Sequence, residues 1–317
     1  MNNLIFSLNA TIPIFLVMVF GWFLMQMKLF NANFCTIADR YVFKVALPVL
    51  LFRDIATMDL HKDFDWSFVI FCAAVTTIMF MGVWALTNLF MKDKSMVGAF
   101  SQAAVRGSGA ILGIAFVENI YGNSGLAPLM IVAAIPLYNI YSVIILTFGA
   151  RSRTADSTGR ELAKKTLKNI ITNPIILGIL AGLPFSFFQI SIPEIPLKAL
   201  TSVANTATPI ALLMIGAEFE GKKALTRIKP TLLATAIKLV ILPALILPAA
   251  VAMGFRDSAL ISILIVAGSP TTVSCYIMAK NMDNDEILTS SIVVLATLLS
   301  SVTLTVWIFI LKNGGLI

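Results

Sequence analysis

Two glycine-containing triplets could form a ligand-binding site within otherwise apolar stretches of the chain. Gly107-Ser108-Gly109 interrupts residues 100–119, and Gly268-Ser269-Pro270 interrupts residues 258–278. An interrupted membrane helix leaves backbone N–H and C=O groups that lipid cannot satisfy, so each break must face protein or a water-filled cavity. Because free N–H groups at a helix N-terminus attract anions, we predict an anion-binding site at the two breaks. The alternative is that the triplets are kinks or close helix-packing sites.

Arg106 gives the first break a preference for negative charge. A charged side chain inside an apolar span is costly and usually functional, and a guanidinium matches a carboxylate with two parallel hydrogen bonds. The alternative is a structural ion pair with Glu118 or Asp39. The predicted substrate-binding residues lie in or beside the breaks: Arg106, Gly107, Ser108, Gly109, Gln102, Gly268, Ser269, Pro270, Thr271 and Thr272.

Three further polar residues within apolar spans could serve ion coupling or structure, namely Asn139, Asn205 and Lys238. Lys238 could reach the membrane interface or pair with Glu218. No carboxylate lies in the middle of a span, so the coupling ion, H⁺ or Na⁺, is not specified. The single histidine, His61, lies in a polar loop, and the three cysteines lack metal-ligand spacing. We therefore predict no metal site and no cofactor.

The composition indicates an all-α polytopic membrane protein. Hydrophobic residues make up 58% of the 317 residues and charged residues 12%, against roughly 25% charged residues in soluble proteins. Because about 20 apolar residues cross a bilayer, we predict ten spans. They cover residues 4–27, 39–58, 66–91, 96–119, 126–150, 169–190, 197–217, 231–254, 258–279 and 287–311. Most of the 23 Lys and Arg residues fall in loops on one side, which places both termini outside the cytoplasmic membrane. The net charge of +7 thus reflects topology and needs no nucleic-acid partner.

An internal repeat relates the two halves of the chain. A shift of 161 residues superimposes the two triplets, and it also places Ala46-Leu47-Pro48 on Ala207-Thr208-Pro209. Five spans are an odd number, so the second half must enter the membrane from the opposite side. We predict a first repeat at residues 1–150, a cytoplasmic linker at 151–168 and a second, inverted repeat at 169–317.

These residues together resemble the auxin efflux carrier family, in its bacterial branch of malate and malonate permease-like proteins. The resemblance covers essentially the whole chain and rests on the order and spacing of short motifs. The motifs are Ala46-Leu47-Pro48-Val49-Leu50-Leu51-Phe52, Arg106-Gly107-Ser108-Gly109 with Gly113 and Tyr121-Gly122, Asn173-Pro174 with Gly178 and Gly182, and Gly268-Ser269-Pro270.

The resemblance implies two inverted five-helix repeats, a general plan shared with bile-acid transporters. It implies a scaffold domain from helices 1, 2, 6 and 7, and a mobile transport domain from the rest. The broken helices 4 and 9 would cross at the substrate site. Transport would occur by an elevator-like motion. Ser108 and Ala115 stand where family members often carry Asn and Pro, so the chain departs from the pattern of an indole-acid site.

We therefore expect a secondary active transporter, and not an enzyme, that moves an organic anion across the cytoplasmic membrane by alternating access. Arg106 beside the break suits a small mono- or dicarboxylate. A homodimer is compatible with this reading. The alternative is a membrane-embedded sensor that binds its ligand without transporting it. A membrane enzyme is disfavoured because no P-loop, GxSxG or HExxH motif stands in a suitable context.

Overall fold

The computed structural model describes residues 13, 16–57, 65–109, 117, 120–122, 125–149, 168, 172–219 and 225–317, and these are predominantly helical. Residues 151–167 of the predicted linker at 151–168 lie outside the described residues, as do His61, Gly113 and Glu118. We number the helices in chain order. They are α1 Leu16–Gln26, α2 Ala32–Tyr41, α3 Leu47–Ala56, α4 Trp66–Phe90, α5 Val97–Val105, α6 Ala127–Gly149, α7 Pro174–Phe187, α8 Glu194–Ala204, α9 Ala207–Ala217, α10 Ile228–Ala236, α11 Leu242–Ala252, α12 Asp257–Gly268, α13 Ser274–Asn281 and α14 Glu286–Asn313.

Five helical segments of the described chain are long and apolar enough to cross a membrane. They are Trp66–Phe90, Leu129–Gly149, Glu194–Ala217, Ile228–Ala252 and Glu286–Asn313. Shorter apolar helices are Leu16–Gln26, Pro174–Phe187 and Asp257–Gly268. The all-helical membrane architecture is therefore as predicted, whereas the ten-span inverted repeat and the division at residues 150 and 168 stay predictions.

Two of the helical stretches contain a π-helical turn immediately before a Leu-Pro pair. Val42–Ala46 joins α2 to α3 ahead of Pro48, and Ile237–Ile241 joins α10 to α11 ahead of Pro243. Proline has no N–H, so it cannot donate to the carbonyl four residues earlier, and the helix widens there. In the second case the indole N–H of Trp307 donates to the freed carbonyl of Leu239 at 2.9 Å. The helical segment that includes the predicted span at 39–58 begins at Ala32.

The buried apolar side chains form two clusters. The larger cluster joins α4, α5, α6, α10, α11, α12 and α14. The smaller cluster joins α1, α2, α3, α7 and α9, together with buried residues of α6, α13 and α14. Glycines allow close backbone contact within the smaller cluster. A Cβ on Gly178 or Gly182 would overlap the backbone of α3, and a Cβ on Gly216 would overlap that of α1. Small residues bring membrane helices together in this way, so the smaller cluster is a tightly packed body.

Candidate substrate-binding site

Both triplets end a helix, as predicted. The helix α5 ends at Val105 and α12 ends at Gly268, and Arg106 and Ser269 that follow have extended backbones. The two extended segments pair in antiparallel fashion, with the N–H of Ser108 donating to the carbonyl of Pro270 at 2.9 Å. This pairing satisfies backbone groups that the broken helices leave free, and it fixes the two breaks against each other.

We call the paired segments at the two breaks the crossing. Side chains from neighbouring segments donate hydrogen bonds to the free backbone carbonyls at the ends of both helices. The hydroxyl of Thr271 donates to the carbonyl of Ala103 in α5 at 2.8 Å. At the end of α12, the carbonyl of Val266 accepts from the Tyr138 hydroxyl at 3.0 Å and from Lys238 Nζ at 2.9 Å. Each break is therefore closed by groups of the other break or of a neighbouring helix, which holds the crossing rigid.

Arg106 is buried and is held by two neighbours. Its Nη2 donates to Oδ1 of Asn139 at 2.6 Å, and its Nη1 lies 2.6 Å from the sulfur of Met278. No carboxylate of the described chain forms an ion pair with it, and Asp39 instead accepts a hydrogen bond from Lys280. A buried guanidinium with only neutral neighbours keeps its full positive charge available to an anion.

A cavity of about 430 Å³ lies beside the crossing, between the two packing clusters. One wall comes from the breaks, α6 and α14, and the other comes from α3, α7, α8 and α9. The ionisable residues among its described lining are Arg106, Arg53, Asp54 and Tyr138. These described residues include two guanidinium groups and one carboxylate, which together carry a net positive charge. A concave, mostly apolar site of this size with a few polar groups is typical of small-molecule binding.

The structure brings most of the predicted site residues together on this cavity. The lining includes Arg106, Gly107, Ser108, Gly109, Pro270, Thr271, Thr272, Asn139 and Asn205. Gln102, Gly268, Ser269 and Lys238 lie behind it. Gln102 donates to the carbonyl of Cys275 at 3.0 Å, so it ties α5 to α13 and does not face the cavity. Ser269 packs against Gly107.

Two charged residues that line the cavity, Arg53 and Asp54, were not among the predicted site residues. Arg53 donates to Oδ1 of Asp54 at 2.6 Å and to Oδ1 of Asn205 at 2.9 Å. Arg53 lies near the end of an apolar stretch, where sequence reasoning predicts a side chain that reaches the membrane surface. Only the contact with Asn205, which is 152 residues away in the chain, reveals its place at the cavity.

A second polar cluster links helices of the smaller packing cluster away from the cavity. Lys280 of α13 donates to Asp39 of α2 and to Glu218 at the end of α9, and the Tyr276 hydroxyl also donates to Glu218. The suggested pairing of Glu218 with Lys238 is therefore wrong, because Lys238 bonds backbone carbonyls instead.

Comparison with known proteins agrees with this architecture. The sequence pattern of a family described as "Membrane transport protein" matches residues 6–308. The chain belongs to this family, the auxin efflux carriers. It is 20% identical over 306 residues to an "Uncharacterized transporter" of Methanothermobacter thermautotrophicus, covering 96% of this chain and 98% of the relative. It is 22% identical over 283 residues to a "Putative malonate transporter" of Rhizobium meliloti, covering 88% and 87%. The protein is thus an integral membrane transporter.

Proposed function

We propose that this transporter is a secondary carrier that moves a small organic anion, a mono- or dicarboxylate, across the cytoplasmic membrane. The observation that carries the proposal is the buried guanidinium of Arg106, which lies on a cavity at the crossing without a carboxylate partner in the described chain. A charge in such a place is costly unless a ligand of opposite sign uses it. The relative named for malonate supports a carboxylate as the ligand.

Other groups on the cavity would complete the anion site. The N-terminus of α13 faces the cavity through Thr272, Val273 and Ser274, and its backbone dipole favours negative charge. The hydroxyls of Ser108 and Thr272 would orient the carboxylate by hydrogen bonding. Ser269 and Gln102, which lie behind the lining, would support the crossing.

The position of the cavity suggests how alternating access would occur. The cavity lies between the breaks, where α5 and α12 of the larger cluster end, and helices α3, α7 and α9 of the smaller cluster, whose close packing suits a fixed body. Movement of one body past the other would expose Arg106 to each side of the membrane in turn. A proton or Na⁺ gradient would drive the movement.

Uptake into proteoliposomes tests the proposal. Purified protein is reconstituted, and a panel of labelled carboxylates is supplied with and without a proton or Na⁺ gradient. We expect saturable uptake of at least one carboxylate and its loss in Arg106→Ala, with Lys198→Ala, an exposed residue on α8, as the matched control. Tight carboxylate binding without flux would favour a sensor, and unchanged uptake by Arg106→Ala would remove Arg106 from the site.

A further inference from the structure

Lys238 is a fully buried cation at the end of α12. It lies in the π-helical turn between α10 and α11 and has no exposed surface. Its Nζ donates to the carbonyl of Val266 at 2.9 Å and to that of Ala267 at 3.1 Å. These carbonyls belong to the last turn of α12 and lack helical N–H partners, since Pro270 has no N–H and Thr271 is extended.

A third oxygen atom lies close to this ammonium group. The Oγ of Ser269 is buried and has no hydrogen-bond partner in the described part of the chain. A Cβ on Gly107 would overlap Ser269 Oγ and would lie 2.9 Å from Lys238 Nζ, so both atoms face the same side of Gly107. The two carbonyls thus accept hydrogen bonds from Lys238, and the Ser269 hydroxyl faces the same side of Gly107 as the ammonium group.

The described residues place no compensating carboxylate on Lys238. None of the described acidic side chains forms an ion pair with it, and Glu218 is bonded to Lys280 and Tyr276. The charge is balanced instead by the negative end of the α12 dipole and by the two carbonyls. Neutral oxygen ligands at the C-terminal end of a broken membrane helix are also the ligands that small free cations such as Na⁺ use.

We propose that the Lys238 ammonium is a built-in cation that fills an oxygen-lined monovalent-cation site at the end of α12. Because the ammonium group is covalently attached through the Lys238 side chain, the site stays occupied. The crossing therefore needs no free cation to balance the partial negative charge of the two carbonyls. Shortening the side chain to alanine would open the site to a small cation from solution. The proposal concerns the stability of the crossing and does not depend on which anion the carrier moves.

Thermal unfolding of purified variants in detergent tests this assignment. Lys238→Ala opens the site, and Lys238→Met keeps the volume of the side chain without its charge. In choline chloride, we expect both variants to unfold at least about 5 °C below the parent protein. At equal ionic strength, n-propylammonium, which matches the missing part of the side chain, or Na⁺ should raise the Tm of Lys238→Ala in a saturable manner.

The controls separate site binding from general salt effects. Neither cation should raise the Tm of the parent, of Lys238→Met or of Lys198→Ala beyond the effect of choline, because the site is filled or untouched in each. The proposal is overturned if no cation rescues Lys238→Ala or if Na⁺ stabilises the parent specifically. If Lys238→Ala does not yield folded protein, Lys238→Met alone decides: a Tm equal to that of the parent shows that no charge is needed.

Discussion

The guanidinium of Arg106 donates a 2.6 Å hydrogen bond to the side-chain carbonyl oxygen of Asn139. The amide nitrogen of Asn139 in turn donates to the carbonyl of Ile135 at 2.9 Å, which fixes the oxygen toward Arg106. Asn139 therefore orients the guanidinium without neutralising it. A carboxylate at the same position would orient it equally well, but it would also cancel the charge that an anionic substrate needs.

Asn139→Asp should lower the affinity of the carrier for anionic substrate. The new carboxylate would pair with Arg106 and compete with substrate, and we expect a rise in KM of about tenfold or more. Concentration-dependent uptake in proteoliposomes measures this effect. Asn88→Asp places the same charge on an exposed part of α4 and should leave KM unchanged. An unaltered KM in Asn139→Asp would mean that the Arg106 charge does not meet the substrate.

Gly107→Ala should destabilise the crossing because its Cβ would overlap the Oγ of Ser269. Removing that oxygen in Ser269→Ala should cost little alone, since Oγ has no hydrogen-bond partner in the described chain. The double variant should then recover part of the lost Tm, giving a coupling of about 1 kcal/mol. Thermal unfolding of the three variants measures this coupling. Gly82→Ala, whose Cβ would meet no atom within 4 Å, should not lower the Tm.

Trp307→Phe should lower the Tm by removing the donor to the Leu239 carbonyl. Pro243 cannot supply an N–H to that carbonyl, and lipid offers no replacement, so we expect a loss of roughly 1–3 kcal/mol. Trp22→Phe on the exposed face of α1 is the matched control for the loss of an indole. Equal unfolding temperatures for the two variants would show that the hydrogen bond contributes nothing.

Lys280→Met should destabilise the contact of α13 with α2 and α9. It leaves Asp39, whose side chain is only 3% exposed, without its cationic partner. Combining it with Asp39→Asn should reduce the damage, because the double variant leaves no buried unpaired charge at that position. Thermal unfolding compares the single and double variants, with Lys198→Met as an exposed control. A double variant less stable than Lys280→Met would contradict this explanation.

The sequence identifies the breaks because their cause is local. Glycine and proline weaken a helix locally, and although Pro136 and Gly182 lie inside helices, the clustering of these residue types in two triplets within apolar stretches marks the crossing. The same argument identifies Arg106, since a charge inside an apolar run is conspicuous. The partners of these residues are not local. Asn139 meets Arg106 across 33 residues, and no period or composition specifies that contact.

Residues whose role depends on a distant neighbour are harder to predict from the sequence. In the sequence, Arg53 is a basic residue near the end of an apolar stretch. Its hydrogen bond to Asn205 is visible only in the structure. Glu218 stands at the end of an apolar stretch, and nothing in its local sequence places it beside Lys280 of α13, with which it pairs. Whether a polar group faces a cavity, as Thr272 does, or backs onto a neighbouring helix, as Gln102 does, is decided by packing alone.

The π-helical turn at Ile237–Ile241 divides one membrane segment into two rotational phases. One residue of α-helix corresponds to about 100° of rotation about the helix axis. An extra residue in the turn therefore rotates the side chains beyond it by about that angle. Before the turn, α10 contacts α14 and α5, and after it α11 contacts α12. A single helical wheel drawn for residues 228–252 therefore mixes two orientations. Deleting one residue at this point would rotate all of α10 or all of α11 about the helix axis, and its effect would extend beyond the contacts of the deleted residue.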